Sequence, residues 1–436
     1  MWKIAFLFLS VAAVLAERKR YDGHKLLRIT PTTQEDLDAA TKFIDQRQSE
    51  LDFWKLPRGV SDNADLRVSP EEYDTVAEQL RAAGVNFNVI QENLQDRIDE
   101  DYERLSNKAG KQPIDLEDFN RHGDINTWLT NQAASCTGGV QCTTYDIGNS
   151  YEGRTMRVIR IGINSSDQKP AIWVDAGIHA REWISPSTAI YFINQLINNA
   201  ADATVRQVLE RFDWFILPLH NPDGYEYTHT NERLWRKTRT PTDPVWDCYG
   251  ADPNRNFGYQ WGGDGASPEP CSDTYRGDSA FSEPCAQRVR DFVTPRANQF
   301  RAFVTMHSYG QWWFTPWGYT ANEVPRDYDD QAAVGEVVAD AIFAVNGRSY
   351  TVGPSSILLY KNSGASDDWA YGELGIKYTY SPELPALHHG FTIPKQYITP
   401  IGKETWEGMK AMANEIHKRI KKDDLSTIVK KLGGYL

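Results

Sequence analysis

AIWVDAGIHAREW, residues 171–183, reads as one strand and the turn that ends it. Asp175 is the one charged residue between Ala171 and Ile178, and a short apolar run of this kind is a strand covered on both faces. TMRVIRI (155–161), DWFILPL (213–219) and RAFVTM (301–306) repeat the pattern, and helical stretches near 186–199, 283–298, 328–345 and 394–422 alternate with them. Strand–helix alternation of this sort predicts a single α/β domain of more than 300 residues. Its sheet is large, mixed and mostly parallel, with helices on both faces.

Toward the N-terminus the pattern changes. HKLLRIT (24–30), LDFWK (51–55), ADLRV (64–68) and VNFNVI (85–90) are strand candidates. A helix follows a Thr32/Glu35 capping box, and a second starts at Ser69-Pro70-Glu71-Glu72 and stops near Gly84. The order βαββαβ predicts a small α+β open sandwich over residues 17–108. Its last part, from Gln91 to Lys108, is a charged connecting helix carrying Arg97, Arg104 and Lys108, with Lys111 beyond, and it offers a cutting site to a trypsin-like protease. Residues 1–16, MWKIAFLFLSVAAVLA, set Lys3 before an apolar run too short to span a bilayer, as a signal peptide does. The organisation expected is therefore a signal peptide (1–16), a leader domain (17–108) and a main domain (109–436). The mature protein is expected to be secreted, extracellular, monomeric and free of membrane segments.

Composition narrows the function. Lys+Arg 47 against Asp+Glu 59 gives a net charge of −12, and no basic cluster is present to release counterions from a nucleic acid. Export permits disulfides. Of the five cysteines, Cys136 with Cys142 and Cys248 with Cys271 are the simplest pairings, which leaves Cys285 unpaired. Asn164-Ser165-Ser166 is a glycosylation sequon.

Ligands of open α/β sheets sit beyond the carboxyl ends of strands. There, AIWVDAGI runs into His179-Ala180-Arg181-Glu182, and RAFVTM runs into His307-Ser308-Tyr309. Two histidines and a glutamate form the ligand set of a catalytic zinc. Spacing alone does not decide, because His220/Asp223 and His229/Glu232 repeat it around the turn tetrapeptide NPDG, where a histidine reads as a loop hydrogen-bonder.

The surrounding text does. GIHAREW (177–183), NPDGYEYTHTNERLWRKTR (221–239), DPNRNF (252–257), MHSY (306–309), LLYKNSGASDDWAYGELGIKY (358–378) and SPEL (381–384) occur in series. Together they resemble the pancreatic-type zinc carboxypeptidases, the A/B subfamily. The resemblance covers nearly the whole chain, and the leader looks like that family's inhibitory activation domain. It implies one Zn²⁺ per chain, bound by His179, Glu182 and His307. It implies Glu383 as the catalytic acid/base and Arg236 as the oxyanion stabiliser. Asn254, Arg255 and Tyr360 match the binders of the terminal carboxylate, with Arg181 and Tyr309 as further substrate contacts.

Asp367 matches the pocket residue that is acidic in enzymes taking C-terminal Lys or Arg, a B-like procarboxypeptidase pattern, whereas Asp368 occurs in both types. The alternative for Asp367 is a cap on a helix beginning near Trp369. Rival functions are an A-type preference for apolar or aromatic termini and an inert binding relative. A third, carbohydrate binding, would lean on Trp312-Trp313, whose rings read rather as packing near the cleft. Pro382 in SPEL and the tail 422–436 depart from the family pattern.

Overall fold

The leader forms the sandwich its alternation predicts. The computed structural model describes residues 18–47, 50–108 and 114–433, with side chains to 422. The predicted signal peptide, Lys111 and the boundary at 109 lie outside the described residues. Strands β1 (Lys25–Ile29), β2 (Asp52–Lys55), β3 (Ala64–Val68) and β4 (Phe87–Gln91) form a sheet in the order β2-β3-β1-β4. Helices α1 (Gln34–Arg47) and α2 (Tyr73–Ala82) bury Phe43, Ile44 and Leu80 with Leu27, Ile29 and Leu66, and α3 (Leu94–Lys108) follows.

Helix starts differ by a few residues from expectation. The capping box is Thr33/Asp36, one position on: the Asp36 N–H donates to Thr33 Oγ1 (3.1 Å), and its Oδ2 accepts from the Thr32 and Thr33 N–H groups (2.9 and 3.0 Å). Two boxes overlap in this sequence, and the shorter aspartate reaches both donors at once. The expected start at Ser69-Pro70 is a turn in which the Ser69 hydroxyl donates to Glu72 (2.8 Å), so α2 begins at Tyr73. Gln91 ends β4 instead of opening α3.

The main domain runs α4 (His122–Ser135), β5 (Val140–Asn149), β6 (Thr155–Ile163), β7 (Ala171–Ala176), α5 (Ile184–Asn198), α6 (Ala203–Arg211), β8 (Asp213–Leu217) and α7 (Pro222–Thr230). It continues with β9 (Pro241–Asp243), β10 (Cys248–Tyr249), α8 (Pro284–Val293), β11 (Phe300–Ser308), β12 (Trp312–Thr315), α9 (Tyr328–Asn346) and β13 (Thr351–Pro354). The last elements are α10 (Ser355–Leu358), α11 (Ser366–Gly372), β14 (Tyr378–Leu384) and α12 (Ile398–Gly433). Eight strands make one mixed sheet, β13-β12-β14-β11-β7-β8-β6-β5, parallel through its middle and antiparallel where β6 meets β5 and β8 and where β12 meets β14. Side-chain alternation assigns the two faces. Ile172 and Val174 join one core with Trp214 and Ile216, while Trp173 joins the other with Phe215 and Phe303.

NPDG is a helix start and not a turn, since Asn221 caps α7 through Gly224 N–H (3.0 Å) and Pro222 takes the first position. Its flanking histidines are buried, not loop hydrogen-bonders: His229 stacks on Trp183 at 4.1 Å, and His220 lies 3.2 Å from Asp175. Cys136–Cys142 and Cys248–Cys271 are bonded, and Cys285 is free and buried. The helix of the last segment continues to Gly433. No described helix is long and apolar enough to cross a membrane.

Candidate metal centre and substrate cleft

The end of β7 is shaped by Gly177. At φ +66 it turns back, and a Cβ there would meet Pro186 Cγ at 3.0 Å. The turn brings His179 and Glu182 together at the start of α5, and the Ala180 N–H donates to Arg236 O (3.0 Å). His307 arrives from the neighbouring strand β11. His179 Nδ1 lies 2.7 Å from Glu182 Oε1, and His307 Nδ1 lies 3.2 Å from His179 Nδ1 and 3.3 Å from Glu182 Oε2. Ligands at 2.0–2.1 Å around a tetrahedral ion are spaced about 3.3 Å apart.

The three donors therefore fit a zinc ion. Two facing Nδ1 atoms cannot both carry protons, and lone pairs aimed at one point are what a cation gathers. Charge points the same way. Burial opposes ionisation of Glu182, but the two imidazoles hold its carboxyl well below the ordinary range. Burial and Arg236 depress His179, keeping it neutral. Its Nε2 faces Asp252 Oδ1 at 3.1 Å, the outer carboxylate that orients a ligating imidazole.

Glu383 stands beside this group because β14 runs parallel to β11 with Glu383 opposite His307. Pro382, the departure from pattern, is accommodated inside β14. It has no N–H, and the β11 ladder skips Ser381 and Pro382 before resuming at Glu383. Burial pushes the Glu383 carboxyl up to about 8, and its Oε2 has no hydrogen-bond partner among the described residues. Arg236 is held by Asp252, Nη2 to Oδ2 at 2.6 Å. Asp252, inside DPNRNF, also accepts from Asn254 N–H (2.8 Å). One carboxylate thus braces His179, Arg236 and the Asn254 backbone. Its sequence signal is weak, since an aspartate before proline and asparagine reads first as a turn former.

A cavity of about 940 Å³ joins these groups. His179, Arg181, Glu182, Arg236, Asn254, Arg255, His307, Tyr309, Tyr360 and Glu383 all line it. Arg255 donates Nε to Gly265 O (2.8 Å) and Nη1 to Asn254 O (2.9 Å), leaving Nη2 without a hydrogen bond among the described residues. Gly364, at φ +80, lets the following loop press on this arginine, and a Cβ there would lie 2.4 Å from Arg255 O. Tyr360 is 39 % exposed at the rim. Trp312 lines the cavity, and Trp313 packs on Tyr380.

Asp367 is the site residue that does not line the cavity. It follows Ser366, whose N–H donates to Asn254 Oδ1 (2.9 Å), and it is 1 % exposed. It caps nothing: α11 begins at Ser366, not near Trp369, and Ala365 is the cap residue. Both its carboxylate oxygens are buried without a partner among the described residues, whereas Asp368 accepts from Gly318 and Tyr319 N–H groups.

A zinc carboxypeptidase domain model matches residues 125–408, and a carboxypeptidase activation peptide model matches residues 27–101. The chain belongs to the zinc carboxypeptidase family. It is 43 % identical to carboxypeptidase B of Astacus astacus over 302 residues, 69 % of this chain and 98 % of that protein. It is also 35 % identical to zinc carboxypeptidase A 1 of Anopheles gambiae, covering 96 % of each. The crystal structure of the carboxypeptidase A from Helicoverpa armigera superposes with a TM-score of 0.81 at 28 % identity, over 92 % of this chain and 99 % of that one.

In this zinc carboxypeptidase the leader is the activation domain, and it is seated in the cleft. Residues Leu51 to Leu56 form one wall of the cavity. Lys55 Nζ sits 4.8 Å from the Trp312 ring centre, and Trp54 packs on Phe391 at 5.0 Å. Asp65 receives Arg28 through two bonds of 2.7 Å and also accepts the Tyr309 hydroxyl at 2.9 Å. Arg28 reaches further, to Leu387 O at 3.0 Å and His388 Nδ1 at 2.9 Å. At the other end α3 is clasped to the main domain by Arg104 to Asp118 and by Lys108 to Asp115 and Asp118. Tyr309–Asp65, Arg28–Leu387 and Trp54–Phe391 join residues hundreds of positions apart, so the sequence gives no sign of them.

Proposed function

We propose that the chain is a secreted zymogen that, once its activation domain is cut away by a trypsin-like protease, removes C-terminal Lys or Arg from peptides and proteins. The supporting observation is Asp367, a carboxylate buried with both oxygens unpartnered in a chain that satisfies its neighbour Asp368. An unpartnered carboxylate buried just behind the cavity wall is costly, by about 3–5 kcal/mol when a buried pair is broken, and a cationic side chain brought against it by the substrate offsets that cost. Relatives named carboxypeptidase B and carboxypeptidase A both match, so similarity does not choose between basic and apolar termini.

A bound zinc ion supplies Lewis-acid polarisation of the scissile carbonyl and lowers the pKa of a bound water toward ~7. His179, Glu182 and His307 would hold it. Asn254, Arg255 and Tyr360 hold the terminal carboxylate of the peptide, the planar guanidinium meeting both oxygens. Glu383, opposite His307 on β14, takes a proton from the attacking water and returns it to the leaving amine. Arg236 faces the oxygen on which charge develops. Cutting at Arg104, Lys108 or Lys111 severs the connection to the activation domain.

The test compares kcat/KM for peptides ending in Arg and in Phe after limited trypsin treatment, with and without chelator. Arg is expected to be preferred, chelator to abolish activity and zinc to restore it. Asp367→Ile is expected to lower the Arg/Phe ratio by roughly 10²–10⁴-fold, the equivalent of the unpaired-charge cost. Preference for Phe in the unmodified protein would end the basic-terminus assignment.

A further inference from the structure

Among the described residues, the large apolar side chains most exposed are Val245 (81 %) and Trp246 (76 %), side by side at the tip of the β9–β10 hairpin. The tip is built firmly. Asp243 Oδ1 accepts from the Val245 and Trp246 N–H groups (2.8 and 3.2 Å). At the base of the hairpin the Arg239 guanidinium sits among three rings, 3.7 Å from the Tyr227 centre, 4.5 Å from Trp235 and 4.6 Å from Tyr249. Cys248, two residues from Trp246, is bonded to Cys271, and the Lys237 ammonium donates to Pro270 O (2.7 Å). Both tethers attach the hairpin to the loop that forms one wall of the cleft, where Glu269, Ser272, Asp273 and Thr274 line the cavity.

Chain geometry fixes the reach. Cys248 is two positions along from Trp246, the Cys248–Cys271 Cα distance is 5.1 Å, and Ser272 follows Cys271. With ~3.8 Å between successive Cα atoms, the Trp246 Cα lies within about 17 Å of a cleft-lining Cα. An extended peptide advancing ~3.3 Å per residue covers that upper limit, measured from the cleft wall at Ser272, in about five residues. Asp273 on this wall is 3.6 Å from Arg181, whose guanidinium faces Phe391 at 4.2 Å, on the side of the cavity that β2 of the activation domain occupies. The activation domain itself leaves Val245 and Trp246 uncovered.

We propose that Val245 and Trp246 form an exosite for the polypeptide substrate, gripping an apolar side chain several residues upstream of the bond being cut. The proposal rests on the carboxypeptidase activity above and extends it from chain ends to longer chains. A second copy of the protein is the less apt occupant. These two side chains offer on the order of 300 Å² of apolar surface, against the ~800 Å² per partner that a stable dimer covers. Because the tip is already ordered, docking a flexible peptide on it requires little further ordering of the enzyme.

Two peptides with the same C-terminal dipeptide are compared, a blocked dipeptide and a nonapeptide with Leu or Phe at the fifth position upstream. In Val245→Ser/Trp246→Ala, kcat/KM for the nonapeptide is expected to fall about tenfold through KM, with the dipeptide unchanged. Replacing the upstream apolar residue by Ser in the peptide should produce the same loss in the unmodified enzyme and no further loss in the variant. Equal losses on both peptides, no loss on either, or a change of oligomeric state on size exclusion would each overturn the exosite. Absence of hydrolysis of either peptide by the unmodified enzyme would instead remove the activity on which it rests.

Discussion

Glu383 and His229 show how one buried environment gives opposite instructions to two residues. Glu383→Gln keeps the shape and removes the proton carrier, so kcat is expected to fall by roughly 10²–10⁴-fold, with zinc content by metal analysis unchanged. An undiminished rate would remove Glu383 from the chemistry. His229, stacked on Trp183, is held well below its ordinary value by burial, with Arg121 and Arg233 adding to it. It is neutral when folded and charges readily when unfolded. Its contribution to stability is therefore full above about pH 6.5 and is lost as pH falls below that value. Denaturant titrations at pH 7.5 and 5.5 should show a smaller acid loss in His229→Phe than in the unmodified protein. At this scale the sequence was legible where a residue sits in a quoted run with its neighbours, as with His179, Glu182, His307 and Glu383. It was silent about Asp252, whose three partners come from three separate turns and strands.

Elements set these residues in place, and their ends carry the precision. Strand existence was legible because two-faced burial leaves an unbroken apolar run, and β6, β7, β8 and β11 fall on the runs the sequence shows. Helix starts were less so. Thr32 and Thr33 offer competing caps, and NPDG satisfies both a turn and a capped helix, so local chemistry left the choice to packing. Helix α4 carries little periodicity despite its fourteen residues, whereas α6 is amphipathic, burying Val205, Val208 and Leu209, but its nine residues fall short of a clear helical window. The loop before α11 gives a direct test of element placement. Gly364→Ala puts a Cβ against Arg255 O at a φ that alanine resists, so a loss of more than about 1 kcal/mol in stability is expected. Because Arg255 moves with it, KM for peptide substrates should rise more than kcat falls. Unchanged KM in a folded variant would separate this loop from the carboxylate grip.

Across the whole molecule, latency is held by side-chain contacts rather than by the connecting peptide bond. Residues of β2, together with Asp65 and Arg28, are expected to stay seated after a cut beyond α3, so nicking and gain of activity should be separate events in time. Asp65→Ala breaks a buried pair at a cost of about 3–5 kcal/mol, and the lag between the cleaved band on a gel and full activity should shorten markedly. Burial pushes Asp52 up, but the Arg67 and Arg181 charges outweigh it and hold its carboxyl below the ordinary range. A depressed carboxylate supports docking above about pH 4 and stops doing so as pH falls through that region. Release of the nicked domain should accelerate on acidification, and Asp52→Asn should flatten that dependence. The two-domain outline was legible from the change in strand pattern near residue 100, whereas the seam between them was not. Tyr309 sits on that seam, and its hydroxyl has a single proton to give. While Asp65 receives it, no other acceptor can, and if Tyr309 contacts substrate as proposed, the departure of Asp65 hands that bond to the peptide. Vacating the groove and equipping it are thus one motion, and a compound that mimicked only the Asp65 carboxylate would keep the mature protein in its juvenile state.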